Sequence, residues 1–385
     1  MKLRTLILVI VVILTAASCQ KERHDIEGRL DIYLELPEMA SSKSGIGETI
    51  PELKEEAKIN DLRIWVFLSE DVDANHKDGD LLGFLQPVKS NSQKDPLTAF
   101  ENKYYIKLDA VITERHPSVD IYVVGNAPAI GQNNLNSQTK RDVLDAAILG
   151  GNYYGIVDGK PYASAGAIIP SGNNGGLPFS GVGKNLQMKG SYPVLSVDVV
   201  KVKRAVSKFR FVFSQLVDEV GPVMDFEITD LRLDGNQICE SEMLFNDNTS
   251  VGYKLSSPAT YIGSPLVFDN PASSQIAYNT APQEYAYQTG MSAQEYENKV
   301  FQGILKHDLT DWGRCYLRES DKPLSGSISY TIGGIPGTTT FQMSGTEAFS
   351  RNTSWIVYIF FLRDEMKFTV SWTDWLDGGY FNLTQ

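Results

Sequence analysis

The sequence predicts an all-β protein of two β-sandwich domains in tandem, with one or two short helices. Three observations predict it. Apolar and polar residues alternate with a period of two through segment after segment, the pattern of half-buried strands. Aromatic residues make up 10% of the chain, and many Tyr and Phe fall inside those runs, where they pack well on a pleated surface. Clusters of Gly, Pro, Ser, Asn and Asp separate the runs, and one stretch alone reads as a helix.

The elements follow in order. Residues 1–18 open with Met-Lys-Leu-Arg, continue as a run of Leu, Ile and Val, and end Thr15-Ala16-Ala17-Ser18, as a secretory signal peptide does. The apolar run is shorter than the roughly 20 residues a membrane-spanning helix needs. Small residues directly before Cys19 are similar to a lipobox, where the thiol is diacylated and becomes the new N-terminus; the alternative is an ordinary signal peptide with an incidental cysteine. Residues 19–28 read as a charged tether.

Leu30, Ile32, Leu34 and Leu36 then alternate with Asp31, Tyr33 and Glu35, which marks a first strand. Residues 37–58 lose periodicity and read as an exposed loop. Further strands are expected at 62–68, 103–108, 119–126, 194–203 and 206–213. A helix is expected over 138–149, capped by Thr139, with Val143, Leu144, Ala147 and Ile148 on one side. Residues 150–193, rich in Gly, Pro, Ser and Asn, read as irregular but packed. The pattern breaks at Gln215–Pro222, which divides the chain into domains 29–215 and 216–385. The second half continues with strands at 226–233, 314–319, 326–332, 338–343, 354–362 and 366–372.

Composition excludes several functions. A net charge of −12 repels phosphate backbones, so nucleic acid is not an expected partner. His24, His76, His116 and His307 fall in no catalytic motif, and neither a nucleophile elbow nor a phosphate loop occurs, so no enzyme and no cofactor are expected. Asp71, Asp73, Asn75, Asp78 and Asp80 sit at near-alternate positions, as calcium ligands do, but His76 stands where an EF-hand needs Gly and Leu82 where it needs Glu. A solvated turn is the expected reading, and no metal site is assigned. Cys239 and Cys315 either pair in an oxidising compartment or stay as two buried thiols. The five Trp either pack in cores or form a sugar-stacking platform. Lys201, Lys203, Arg204, Lys208 and Arg210 form a local basic run, in which alternation puts Lys201, Lys203 and Ala205 on one face that reads as solvated rather than as a binding site.

Six segments in order resemble the fimbrillin superfamily, the subunits of Bacteroidetes type V fimbriae. They are Asp61-Leu-Arg-Ile-Trp-Val-Phe67, Ile121-Tyr-Val-Val-Gly-Asn-Ala127, Leu177-Pro-Phe-Ser-Gly181, Val200-Lys-Val-Lys-Arg-Ala-Val-Ser-Lys208, Tyr316-Leu-Arg-Glu-Ser320 and Ser350-Arg-Asn-Thr-Ser-Trp-Ile-Val-Tyr358. Phe179, Ser207, Ser320 and Trp355 depart from the family pattern. The resemblance implies Greek-key, transthyretin-like sandwiches and a cell-adhesion role at the outer membrane, lipid-anchored through Cys19. It also implies assembly by donor-strand exchange. A protease cuts the loop after the first strand, here Leu30, Ile32, Leu34 and Leu36, and a strand of a neighbouring fimbrial subunit fills the groove. Surface ligands of host or bacteria would be further partners.

The family's stalk subunits are often cut after Arg, yet residues 38–61 hold no Arg; Lys43, Lys54 and Lys58 are the basic sites. Arg29 precedes the expected strand, so a cut there would remove the lipid and keep the strand. An uncut loop suits an anchor subunit, a cut one a stalk or tip. Leu376, Tyr380, Phe381 and Leu383 either supply a donor tail or complete the last strand pair. The competing reading is a surface lipoprotein that binds glycan or host protein without polymerising.

Overall fold

The computed structural model describes residues 28–36, 59–87, 102–127, 134–149, 156–157, 160–161, 177–217, 226–245, 260–269, 278–280, 289–292, 295, 299, 310–343, 350–362, 365–374 and 381–384. They form two pairs of packed sheets with two short helices. In the first pair, one sheet runs β10 (Lys189–Ser191), β11 (Val194–Ser196), β1 (Gly28–Glu35), β12 (Val200–Lys201), with β4 (Lys103–Leu108) also paired to β1. The facing sheet runs β13 (Lys203–Arg204), β9 (Phe179–Gln187), β5 (Ser118–Gly125), β2 (Leu62–Leu68), β3 (Leu81–Leu85). Their inner faces meet in one apolar cluster that includes Leu30, Ile32, Leu34, Ile64, Val66, Ile106, Ile121 and Leu195.

All seven residues of β2 are buried. One face belongs to that cluster, while Trp65 and Phe67 on the other join Tyr122, Leu144, Leu244, Phe245 and Tyr316 in a second cluster. A strand covered on both faces reads as a continuous apolar run rather than an alternation, which is the character of Leu62–Leu68.

The second pair comprises an eight-stranded and a four-stranded sheet. The larger runs β24 (Phe381–Thr384), β23 (Glu365–Asp374), β22 (Thr353–Leu362), β14 (Ser207–Val217), β19 (Thr310–Leu317), β7 (Ile156–Val157), β8 (Lys160–Pro161), with β18 (Tyr278–Thr280) beside β14. The smaller runs β17 (Leu266–Asp269), β15 (Phe226–Leu233), β20 (Ser325–Ile332), β21 (Ile335–Gln342). Phe209, Phe211, Phe213, Phe226, Ile328, Trp355 and Val357 belong to the core between them. A two-stranded ladder, β6 (Ile148–Leu149) with β16 (Glu242–Met243), links the halves.

Several sequence expectations need correction. β14 pairs with β19 and β22, so hydrogen bonding places residues 207–215 with the second pair of sheets, and the chain crosses over at Ala205–Val206. Alternation does not reveal which core a strand faces. The helix expected over 138–149 shortens to α2 (Arg141–Asp145); Thr139 accepts from Asn136 N at 2.8 Å instead of capping it, and Val143 and Ile148 are exposed. An unforeseen helix, α1 (Ala110–Arg115), stops where His116 enters the left-handed region at φ 50° before Pro117. The expected strand 194–203 breaks into β11, β12 and β13, and the region read as irregular contains β9 and β10. Of the face read as solvated, Lys201 is exposed but Ala205 is buried, and within the basic run Arg204 and Lys208 are buried too. Of the two readings of Cys239 and Cys315, the structure has the second: both are free, buried thiols.

The six segments that carry the family resemblance gather at the crossover. Asn352 N donates to Val206 O at 2.8 Å, and Arg204 N donates to Asn352 Oδ1 at 3.1 Å. Ala205 N donates to Pro178 O, and Asn126 Nδ2 to Leu177 O, both at 2.8 Å. Asn126 and Asn352 adopt positive φ, a conformation that asparagine tolerates better than most residues. Arg351 is the clasp: it meets Glu319 Oε1 at 2.8 Å and donates to the carbonyls of Leu244 at 3.0 Å and Met243 at 2.6 Å.

Glu242 lies in the same clasp, fully buried, with Oε2 accepting from Glu319 N at 3.0 Å. Burial pushes its carboxyl up to about 8; Arg351 and Arg318 oppose the shift and Glu319 adds to it. The folded chain therefore keeps a proton here that the unfolded chain gives up near its ordinary value of 4.5. Stability should fall as pH rises from 4.5 through about 8. Thermal unfolding followed across that window should show a declining Tm, and Glu242→Gln should flatten the decline.

Candidate functional site

β1 has the composition of an edge-to-core strand but lies inside its sheet. Residues 28–33 pair antiparallel with β4, while residues 29–31 pair parallel with β11 and residues 34–35 parallel with β12. Because residues 29–31 pair with both neighbours, β4 lies on one edge of β1 and β11 on the other. Further bonds extend the ladders: Arg29 N to Pro193 O, Leu34 N to Asn102 O, and Val202 N to Glu35 O, at 2.8, 2.8 and 2.9 Å. Leu30 and Ile32 are fully buried, Leu34 and Leu36 nearly so. The four residues expected to form a displaced strand are thus brought together on one core-facing row. Without β1, that row would be an apolar slot flanked by unpaired backbone groups on both sides.

The outward row is not simply solvated. Asp31 is only 3% exposed. Its Oδ2 lies 2.7 Å from Lys103 Nζ on β4 and its Oδ1 3.1 Å from Arg29 Nε. Lys103 also sits 5.1 Å from the Tyr33 ring centre, and Arg29 5.6 Å from that of Tyr105. The hydrogen bond to Asp31 is the main reason the Lys103 ammonium titrates above its usual range.

One end of the slot is closed by α1. A Cβ on Gly28 would fall 2.0 Å from Thr113 Oγ1 and 3.0 Å from its Cβ and Cγ2. Thr113 is buried and its hydroxyl donates to Asp109 O at 2.9 Å, so it has little room to yield. Gly28→Ala should destabilise the fold by about 1–3 kcal/mol through overpacking, measured by thermal or denaturant unfolding.

Arg29, expected ahead of the strand, lies within it, with its backbone bonded to the sheet. Cleavage after Arg29 would require opening β1. Cys19, Lys43, Lys54, Lys58, Leu376 and Tyr380 lie outside the described residues. Phe381 and Leu383 belong to β24, opposite Trp372 and Val370 of β23.

The other candidate chemistry resolves into structure. In the 71–80 turn, Asp71 meets Lys77 at 3.0 Å, Asp73 meets His76 at 3.0 Å, and Asp78 meets Arg141 at 2.6 Å. Among the described residues no group of three or more His, Cys, Asp or Glu is placed to hold a metal. Tyr122, Lys184, Asp120, Asp145 and Arg141 form a polar cluster on the facing sheet: Tyr122 donates to Asp145 at 2.5 Å, and Lys184 meets Asp120 at 3.3 Å and Asp145 at 2.9 Å. Burial raises the Tyr122 phenol far above its normal range, so it stays protonated and is no base. Trp65 donates to Asn136 O at 2.9 Å and Trp355 stacks on Phe209 at 5.8 Å, both in cores. A depression of about 460 Å³ is lined by residues including Arg232, Asp234, Thr340 and Gln342.

No protein-family model and no curated protein matches the sequence. Solved structures do match along most of their length. The tip fimbrial protein of Porphyromonas gingivalis, with a C-terminal truncation, matches at 14% identity and a TM-score of 0.45, covering 91% of this chain and 100% of that one. A fimbrial assembly protein from Parabacteroides distasonis matches at 14% identity and a TM-score of 0.44, with 93% and 100% covered. A fimbrilin from P. gingivalis matches at 12% identity and a TM-score of 0.45, with 91% and 98% covered.

Proposed function

We propose that this chain is a fimbrillin-like subunit of a cell-surface fimbrium, anchored by lipid on Cys19 and supporting adhesion, without chemistry of its own. It joins other fimbrial subunits when β1 leaves and a partner's strand takes its place. The observation that carries this reading is the position of β1: a central, core-bearing strand hydrogen-bonded along both of its edges.

The apolar row of Leu30, Ile32 and Leu34 supports the reading further, because a strand that fills a core slot can be replaced only by one that fills it equally well. The ordered set of fimbrillin-like segments, behind the lipobox-like leader, supplies the biological setting. The two units are proposed as separate sandwiches that keep their crossover clasp while β1 exchanges.

Limited digestion with trypsin-like proteases, followed by N-terminal sequencing and electron microscopy, tests the proposal. A cut within 38–58 followed by polymers is the expected result for a stalk or tip subunit, and an uncut, lipid-held chain capping partner polymers is that for an anchor. A chain that is cut, loses residues up to the cut and still neither polymerises nor joins a partner would overturn it.

A further inference from the structure

We propose that the slot left by β1 selects its incoming strand by chemistry as well as by shape. The strand it takes carries glycine at the place of Gly28, a carboxylate at the place of Asp31, and apolar residues at the places of Leu30, Ile32 and Leu34. This inference rests on the proposed replacement of β1 and goes beyond it by naming what the partner must bring.

Three observations carry it. When β1 leaves, Arg29 leaves with it, but Lys103 stays on β4, 2.7 Å from where the Asp31 carboxylate had been. An incoming carboxylate restores that pair, a neutral residue does not, and a lysine sets two ammonium groups side by side at a place where Asp31 is nearly buried. Second, Thr113 of α1 fills the space that any Cβ at position 28 would need. Third, the outward positions of Tyr33 and Glu35 are open, with Tyr33 36% exposed, so they impose little. The specificity is thus concentrated at two places, one steric and one electrostatic.

The chain's own segment Leu376–Gln385 does not meet these terms. Its only acid, Asp377, is followed by Gly378 and Gly379, so nothing apolar falls at the place of Ile32. The occupant is therefore a partner subunit's strand other than this segment, with the pattern glycine, any residue, apolar, acidic, apolar, any residue, apolar. It runs antiparallel to β4 and parallel to β11 and β12, as β1 does.

The test uses the full chain with one specific cleavage site placed between 38 and 58. After cleavage, fluorescent nonapeptides spanning 28–36 compete for the slot: the native sequence, Asp31→Lys, Asp31→Asn and Gly28→Ala. The native peptide should displace the N-terminal fragment. The Asp31→Lys and Gly28→Ala peptides should enter at least about tenfold more weakly, with Asp31→Asn between. On a Lys103→Glu chain the order of the native and Asp31→Lys peptides should reverse. Where that chain does not fold, Lys103→Gln should bring the two together. Equal uptake of all four peptides, unchanged by either Lys103 variant, overturns the selectivity and leaves strand replacement standing. Uptake of no peptide by the cleaved chain overturns strand replacement, and the selectivity with it.

Discussion

Replacing Ile32 by alanine should lower the stability of the first sandwich by about 2–5 kcal/mol. Ile32 is fully buried at the middle of β1, in contact with the facing sheet through a cluster that includes Ile64, Val66 and Ile121. Close-packed cores do not refill the space that the three lost side-chain carbons leave, so the cost combines lost transfer energy with an open cavity. Scanning calorimetry should show the transition of the first sandwich moving down while that of the second holds. Tyr33→Ala, one residue on and facing outward, should cost about 1 kcal/mol or less, chiefly the lost contact with Lys103. Equal effects at the two positions would mean that β1 is not seated as described.

Replacing Arg351 by methionine should cost about 3–5 kcal/mol and loosen both sandwiches together. The guanidinium is buried and holds Glu319, itself 1% exposed, along with the carbonyls of Met243 and Leu244. Removing it strands a carboxylate away from water and frees two acceptors. Those carbonyls flank the ladder of β16 with β6, and Leu244 O also accepts from Ser180 Oγ at 2.5 Å, so the damage spreads to the first half. The double replacement Arg351→Met with Glu319→Leu should recover much of the loss, because the Glu319 carboxylate that the single variant leaves without its partner is then gone as well. Urea unfolding of the three variants measures this directly.

These two residues also show what the sequence made legible. Ile32 was visible because β1 alternates strictly and its partners are apolar. β2, β14 and β22 were visible for related reasons, as apolar or alternating runs of seven residues or more. Arg351 was visible only as part of a segment resembling a family; that it pairs with Glu319, thirty-two positions away, is a matter of topology.

Other features were hidden for physical reasons. β9 carries Gly181 and Gly183, which read as loop, yet a Cβ on Gly181 would meet the Lys201 carbonyl at 2.3 Å, so glycine is there for a close strand approach. α1 is built on Val111, Ile112 and Thr113, poor helix formers, and burial of Ile112 and Thr113 overrides their preference. Asp31 read as the solvent face of a strand; it is covered because β4 brings Lys103 and Tyr105 beside it. The parallel pairing of β1 with β11 and β12 joins segments more than 160 residues apart, which local pattern does not encode. That pairing turns an ordinary first strand into the candidate site.

The central claim is that β1 can leave its slot and be replaced by another strand. Amide hydrogen exchange of the full chain, cleaved once between 38 and 58, tests it most directly. Release of the N-terminal fragment should strip protection from β4, β11 and β12 together, while β14, β19 and β22 stay protected. A peptide of residues 28–36 should then restore it. Protection that survives loss of the fragment, or that the peptide does not restore, would contradict the account.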